Sequence, residues 1–193
     1  MRREPADWSF GLSRYRWEDH GPVAVVSLLP PANENVRTLV CRSVQRLVDE
    51  FQLPVPVQMG PPGKDDLGLV QQMVASCTAG SLLDADRCRD TLREARAGGK
   101  LLQGLVILLD AGKYARIAFK DEKPQEPALY GYSIPDGLSL LLNYDEPAVR
   151  HEVGHMLGLP LHCQDGACVM HYRCPRPGLF CTSCKMTLVD LWH

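Results

Sequence analysis

Three histidines and one glutamate fall within twelve residues near the carboxyl end of the chain, in the stretch HEVGHMLGLPLH. If this stretch opens as an α-helix, His151 and His155 lie four residues apart on one face, and both imidazoles can point at one metal ion. Glu152 then lies about 100° around the helix axis from His151. From there it can reach a water on the metal without binding the metal itself. The spacing predicts two metal ligands and one base on a short helix.

The residues after this helix could supply a third ligand. Gly158 permits the left-handed backbone that ends a helix, and Pro160 prevents its continuation. The chain can then turn back and bring His162 to the same ion. Three nitrogen ligands leave one position of a tetrahedral zinc open for a water, whose pKa the ion lowers towards about 7. With Glu152 as general base, this indicates hydrolysis by a zinc-activated water. An amphipathic helix with hydrogen-bonded histidines is the alternative.

Four cysteines follow the third histidine with the spacing C-x4-C-x12-C-x2-C: Cys163, Cys168, Cys181 and Cys184. Two ligand pairs separated by a loop are typical of structural zinc sites. Disulfides and buried free thiols are the alternatives. Disulfides need an oxidising compartment, and the charged amino terminus MRREPADW is followed by no apolar segment of signal-peptide length. We therefore expect a second zinc, which would stabilise a segment too short for its own core.

The combined pattern HExxHxxGxxHC-x4-C-x-M, continuing to a CxxC, closely resembles the archaemetzincins, a small family of metzincin zinc peptidases. The resemblance is dense over residues 151–184 and only architectural before them. It implies a catalytic zinc with three ligands: His151, His155 and His162. It makes Glu152 the general base and Met170 the Met-turn residue beneath the metal.

The resemblance also implies that the four cysteines bind a structural zinc. The interval from Met170 to Cys181 is shorter than the family pattern, and Cys174 lies inside it and could replace one thiolate. Tyr172 follows Met170 by two residues, where astacins and serralysins place a tyrosine near the zinc. Its hydroxyl could stabilise an oxyanion, or its ring could pack beneath the site or point to solvent.

The residues before the motif predict alternating strands and helices. We expect strands at Val23–Leu29, Leu53–Gln58 and Leu105–Asp110, and helices at Asn33–Phe51 and Asp84–Ala97. The stretch MGPPGKDDLG between them predicts a loop. Strand–helix alternation favours parallel neighbours. A Pro-Asp-Gly turn between 128–133 and 138–144 favours an antiparallel pair.

The expected fold is therefore metzincin-like α/β (α+β), with a mixed, mainly parallel sheet and an antiparallel edge strand. Asp145 is expected to cap the active-site helix. In metzincins the edge strand pairs with an extended substrate. We therefore expect Tyr130, Gly131 and Tyr132 to line the cleft, although both tyrosines could instead pack internally.

The chain of 193 residues suits a single catalytic domain. Residues 1–159 would form an N-terminal subdomain ending in the HExxH helix, and residues 160–193 a small C-terminal subdomain with the Met-turn and the zinc-binding cysteines. The net charge of −2 shows no basic excess for nucleic acid, and no apolar run has the length of a membrane span. Cys41, Cys77 and Cys88 lack metal-like spacing and are expected to be buried.

Two functions compete at this point. The first is a cytoplasmic, monomeric zinc peptidase that holds two zinc ions and hydrolyses peptides or unfolded polypeptides. The second is a metal-stabilised binding or structural protein whose catalytic site is weak or empty. A hydrolase of another acyl bond is a third reading.

Overall fold

Short strands alternate with helices along the chain, and the structure, a computed structural model, describes residues 22–99, 104–118, 131–135, 137–159, 162–172 and 178–192. The strands are β1 (Val23–Ser27), β2 (Val57–Gln58), β3 (Thr78–Ala79), β4 (Leu82–Asp84), β5 (Gly104–Leu108), β6 (Arg116–Ala118), β7 (Gly131–Ile134) and β8 (Leu138–Leu141). The helices are α1 (Glu34–Glu50), α2 (Lys64–Ser76), α3 (Ala85–Ala97), α4 (Glu146–Met156) and α5 (Thr182–Trp192). A single 3₁₀ turn, Pro31–Asn33, precedes α1.

The main sheet has five strands in the order β2-β1-β5-β8-β7. The neighbours are parallel except β7, which is antiparallel to β8 and forms one edge. Strands β3, β4 and β6 form a separate small sheet. The fold is therefore mixed α/β with a mainly parallel sheet, as the alternating pattern predicted.

The main sheet is covered by helices on both faces. Successive strand residues point to opposite sides, so Val25 and Val106 pack with α1 and α4, whereas Val26 and Ile107 pack with α2 and α3. All four side chains are buried. Because both faces are apolar, these strands read as continuous hydrophobic runs, the pattern of a parallel sheet between helical layers. Helix α4, which contains the HExxH motif, is thereby fixed against the sheet beside its β7 edge.

Two sequence predictions about the scaffold were wrong. The predicted strand Leu53–Gln58 shrinks to Val57–Gln58, because Pro54 and Pro56 have no N–H to donate to a neighbouring strand. The predicted loop MGPPGKDDLG ends early, since α2 begins at Lys64 with Asp65 and Asp66 in its first turn, where carboxylates favour a helix start. Asp84, the first residue of the predicted helix, is the N-cap of α3, and its carboxylate accepts the N–H of Arg87.

The chain after the HExxH helix packs back onto the main body. The indole N–H of Trp192 donates to the carbonyl of Leu157 at 3.0 Å, and the ring of Phe180 meets that of Phe51 edge-on at 5.3 Å between centroids. Arg150 of α4 donates to the carboxylate of Glu50 at the end of α1. In the described ranges, no helix combines the length and the apolar character needed to cross a membrane.

Candidate active site and metal centres

Local capping fixes the start of the HExxH helix. The Asp145 carboxylate accepts the N–H of Ala148 at 3.0 Å, and Pro147 occupies the first turn, where its missing N–H costs nothing. The helix ends at Met156, and Gly158 takes the left-handed conformation with φ +117°. The predicted cap and terminator are thus both present, and the histidine motif lies in the last two turns.

The structure brings the three predicted histidines together. Their ligand nitrogens all lie within 4.8 Å of one another, and the Nε2 atoms of His151 and His155 are 3.2 Å apart. Zinc–nitrogen bonds of about 2.0–2.1 Å in a tetrahedron imply nitrogens about 3.3–3.4 Å apart. The histidine pair on α4 therefore already has the separation of two ligands on one zinc, and the ring of His162 lies 5.2 Å from each of the others.

Hydrogen bonds fix the tautomers of the two helical histidines. Nδ1 of His151 lies 2.7 Å from the carbonyl oxygen of Val169, and Nδ1 of His155 lies 2.6 Å from that of Leu159. A carbonyl only accepts, so both Nδ1 atoms carry the proton. Burial lowers the pKa of His151 to about 4 and that of His155 to about 3, so both rings are neutral near pH 7. Each Nε2 then presents a lone pair to the other.

Two lone pairs 3.2 Å apart repel each other unless a cation lies between them. The backbone carbonyls that hold the two Nδ1 protons are the partners that metal-binding histidines ordinarily have. The arrangement therefore fits a metal ion and can hold one, and zinc suits its imidazole ligands.

Glu152 lies on α4 beside the histidines, partly buried against β7. The hydroxyl of Ser133 donates to its Oε2 at 2.8 Å. Burial raises the pKa of Glu152 to about 7, and the bond from Ser133 opposes this. A carboxyl group with a pKa near neutrality, next to a histidine that could bind a metal ion, has the properties of a general base.

Met170 lies fully buried beneath the histidine helix. A methyl group added at Gly154 would lie 2.6 Å from its Sδ and 3.2 Å from the ring of Phe180. The glycine between the two helical histidines therefore lets the methionine pack directly on the helix backbone. The motif treats this position as variable, so sequence reasoning assigned it no role.

The four predicted cysteines form a second cluster, and their Sγ atoms all lie within 4.8 Å of one another. Cys163 and Cys181 are 3.6 Å apart, and Cys168 and Cys184 are 3.8 Å apart. Zinc–sulfur bonds of about 2.3 Å in a tetrahedron give edges of about 3.8 Å, whereas a disulfide requires about 2.05 Å. The cluster therefore fits a metal ion better than a disulfide pair.

Backbone donors support thiolates in this cluster. The N–H groups of Asp165 and Cys181 point at the sulfurs of Cys163 and Cys168, at 3.4 and 3.3 Å. Burial raises the pKa of Cys184, so a thiolate there requires a cation, and a bound metal ion deprotonates its thiol ligands.

Three consecutive residues join the two clusters. Cys168 belongs to the cysteine group, the carbonyl of Val169 accepts from His151, and Met170 packs on α4. The N–H of Val169 in turn donates to the carbonyl of Leu179 at 2.7 Å. The position of one histidine ligand therefore depends on the segment that the cysteines hold.

The prediction that residues 130–132 of the edge strand line a cleft has different outcomes for each residue. Tyr130 lies outside the described residues, and Gly131 contacts Glu152. Tyr132 does not line the cleft, because alternation along β7 turns it to the opposite face, where it is buried with Leu140. Ser133 is buried on the same face of β7 as Gly131, against Glu152 of α4, and was missed.

The remaining sequence predictions have mixed outcomes. Tyr172 is 51% exposed, and its ring lies 4.3 Å from that of His171, so the role of its hydroxyl stays a prediction. Cys174 lies outside the described residues. Cys41, Cys77 and Cys88 are buried, as expected.

A comparison with protein-family models gave no match for this chain, and no curated protein matches it.

Proposed function

We propose that this chain is a zinc-dependent peptidase with metzincin-like architecture, related to the archaemetzincins. The observation that carries the proposal is the pair of neutral imidazoles whose Nε2 lone pairs converge at 3.2 Å, with a third histidine and a buried carboxylate beside them. A purely structural histidine cluster would not require an adjacent carboxyl group with a raised pKa. The metzincin resemblance of the motif, the helix terminator at Gly158 and the buried Met170 point the same way.

The residues of this chain have separate roles in the proposed reaction. His151, His155 and His162 would hold zinc, which supplies Lewis-acid activation of a water and of the substrate carbonyl. Glu152 accepts a proton from the attacking water and returns it to the leaving amine. Its raised pKa suits both steps near pH 7, because the carboxyl group can be unprotonated before attack and still be acidic enough to release the proton afterwards.

The substrate proposal rests on the edge of the main sheet. Strand β7 forms that edge, and in the described ranges it pairs only with β8. We propose that an extended peptide adds to this edge as a further strand. Peptides and unfolded segments can adopt this conformation, whereas folded proteins expose few such stretches.

The cysteine cluster would hold a second, structural zinc. Four sulfurs around one ion leave no position for a water, so this site is closed. We propose that this zinc fixes the position of Cys168 and hence of Val169, whose carbonyl orients His151. Four reduced thiols also require a compartment that keeps them reduced, and we propose the cytoplasm.

The test is cleavage of an unfolded protein substrate by zinc-saturated protein, with the Glu152→Gln variant as control. We expect the wild type to release new peptide amino termini and the variant to release none. If the wild type holds two zinc ions and cleaves nothing in a broad peptide library, the chain is instead a metal-stabilised binding or structural protein.

A further inference from the structure

The face of the β7–β8 pair that meets α4 carries three small residues near Glu152. Gly131 and Ser133 are two residues apart on this face, and Ser133 pairs across the strands with Ser139 of β8. The hydroxyls of the two serines are 2.7 Å apart, and both side chains are buried. The sheet is otherwise apolar here, so two buried hydroxyl groups require hydrogen-bond partners.

The hydrogen-bond directions in this group follow from Glu152. An ionised carboxylate only accepts, so the Ser133 hydroxyl donates its single proton to Oε2 at 2.8 Å. The hydroxyl oxygen of Ser133 must then accept from Ser139. The chain of donors therefore runs from Ser139 through Ser133 to the carboxylate, and the Ser133 proton is directed by its acceptor, Glu152.

Gly131 shapes the other side of the carboxylate. A methyl group added at this position would lie 2.5 Å from Oε1 and 2.6 Å from Cγ of Glu152. Such distances are shorter than real carbon contacts, so any larger residue would displace the side chain. The carboxylate thus lies against the Cα of Gly131, which carries no side chain. Its Oε2 accepts the hydrogen bond from Ser133, and its Oε1 lies beside Gly131.

We infer that Ser133 is a positioning residue for the general base, and that by holding Oε2 it leaves Oε1 as the oxygen that receives the proton. Gly131 completes this arrangement by leaving room for the carboxylate, whereas Ser139 bonds only to Ser133 and has no bond to Glu152 among those described. The inference rests on the proposed peptidase function. In that reaction the attacking water forms the new C–O bond and passes one proton to Oε1, and the same proton goes to the amine nitrogen as the peptide C–N bond breaks, with no change of oxidation state.

Two serine variants separate positioning from mere strand pairing. Ser133→Ala removes the donor to Glu152 and the bond between the serines, whereas Ser139→Ala removes only the bond between the serines. Ser133→Ala is expected to lower kcat about 10- to 100-fold, the loss typical of a hydrogen bond to a charged group, with KM within about twofold. Ser139→Ala should lower kcat less than about threefold, and both variants should keep their zinc. Equal losses in the two variants, in step with their melting temperatures, would show a structural role and overturn the inference.

Crystal structures of the same zinc-loaded variants give a readout that needs no activity. We expect one Glu152 conformer in the wild type and in Ser139→Ala, and a rotated or multiply oriented carboxylate in Ser133→Ala. An unchanged Glu152 in Ser133→Ala would overturn the positioning role. If the wild type cleaves no peptide, the peptidase proposal fails, and the crystallographic comparison still decides whether Ser133 positions the carboxylate.

Discussion

Replacing Gly154 by alanine tests whether the methionine beneath the site must touch the helix backbone. The added methyl group would lie 2.6 Å from Sδ of Met170 and 3.2 Å from the ring of Phe180. Sδ is in the middle of its side chain, with Cε also at 3.3 Å, so a simple rotation of the chain end does not relieve the contact. Met170 and Phe180 are both buried, and the segment that carries Met170 must shift.

The expected magnitude is the difference of two opposing effects. Alanine stabilises a helix interior by about 0.5–1 kcal/mol relative to glycine. Overpacking of a well-filled core costs about 1–3 kcal/mol. We therefore expect Gly154→Ala to lower the free energy of unfolding by up to about 2.5 kcal/mol and not to raise it. Because Val169 precedes Met170 and its carbonyl holds His151, zinc affinity at the histidine site should fall as well.

Gly68 offers a matched control in another helix. It lies inside α2 and is exposed, and a methyl group there would have no neighbour within 4 Å. Gly68→Ala should raise the free energy of unfolding by about 0.5–1 kcal/mol, with zinc affinity unchanged. Urea unfolding in a fixed zinc buffer and a competitive chelator titration measure both quantities. If Gly154→Ala is stabilised as much as Gly68→Ala, the packing argument at Met170 is wrong.

Three further predictions concern the base, a partly exposed ion pair and the second metal. Glu152→Gln should keep the fold and both zinc ions but lower peptide turnover at least about 100-fold; equal turnover would remove Glu152 from its role. Burial tends to raise the pKa of Glu50, but hydrogen bonds and charges from Arg150 and Lys185 outweigh this and lower it below its ordinary 4.5. Glu50→Gln should therefore destabilise the protein by about 1 kcal/mol at pH 7, and the difference should vanish as the pH falls through the lowered pKa; an equal loss at pH 3 and pH 7 would contradict this. Cys184→Ser should release the more firmly held zinc and also weaken zinc at the histidine site, as competitive chelation can measure; an unchanged histidine site would show that the two metals are uncoupled.

The ligand clusters could be predicted because their stereochemistry is local. Histidines four residues apart share one helix face, and Gly158 ends the helix so that the chain can return. The cysteine spacing likewise needs only short loops between ligands. For these residues the sequence separation constrains the geometry, and the structure brings together both predicted groups.

The surroundings of Glu152 could not be predicted because they depend on strand register. Ser133 is nineteen residues before Glu152, and its position was set by the pairing of β7 with β8. A shift of one residue exchanges the faces of a strand, so Tyr132 and Ser133 could not be assigned to the cleft or the core from the pattern alone. Gly154 was missed for a related reason, since its neighbour Met170 reaches it only after the chain has turned back.

The central claim is that two separate zinc sites lie side by side, one open and one closed. Anomalous diffraction at the zinc edge from crystals of the zinc-loaded protein tests it most directly. The account predicts two peaks: one about 2.0–2.1 Å from nitrogens of His151, His155 and His162, and one about 2.3 Å from the sulfurs of the cysteine cluster. A single peak at the cysteines, with the three imidazoles turned away from one another, would contradict it.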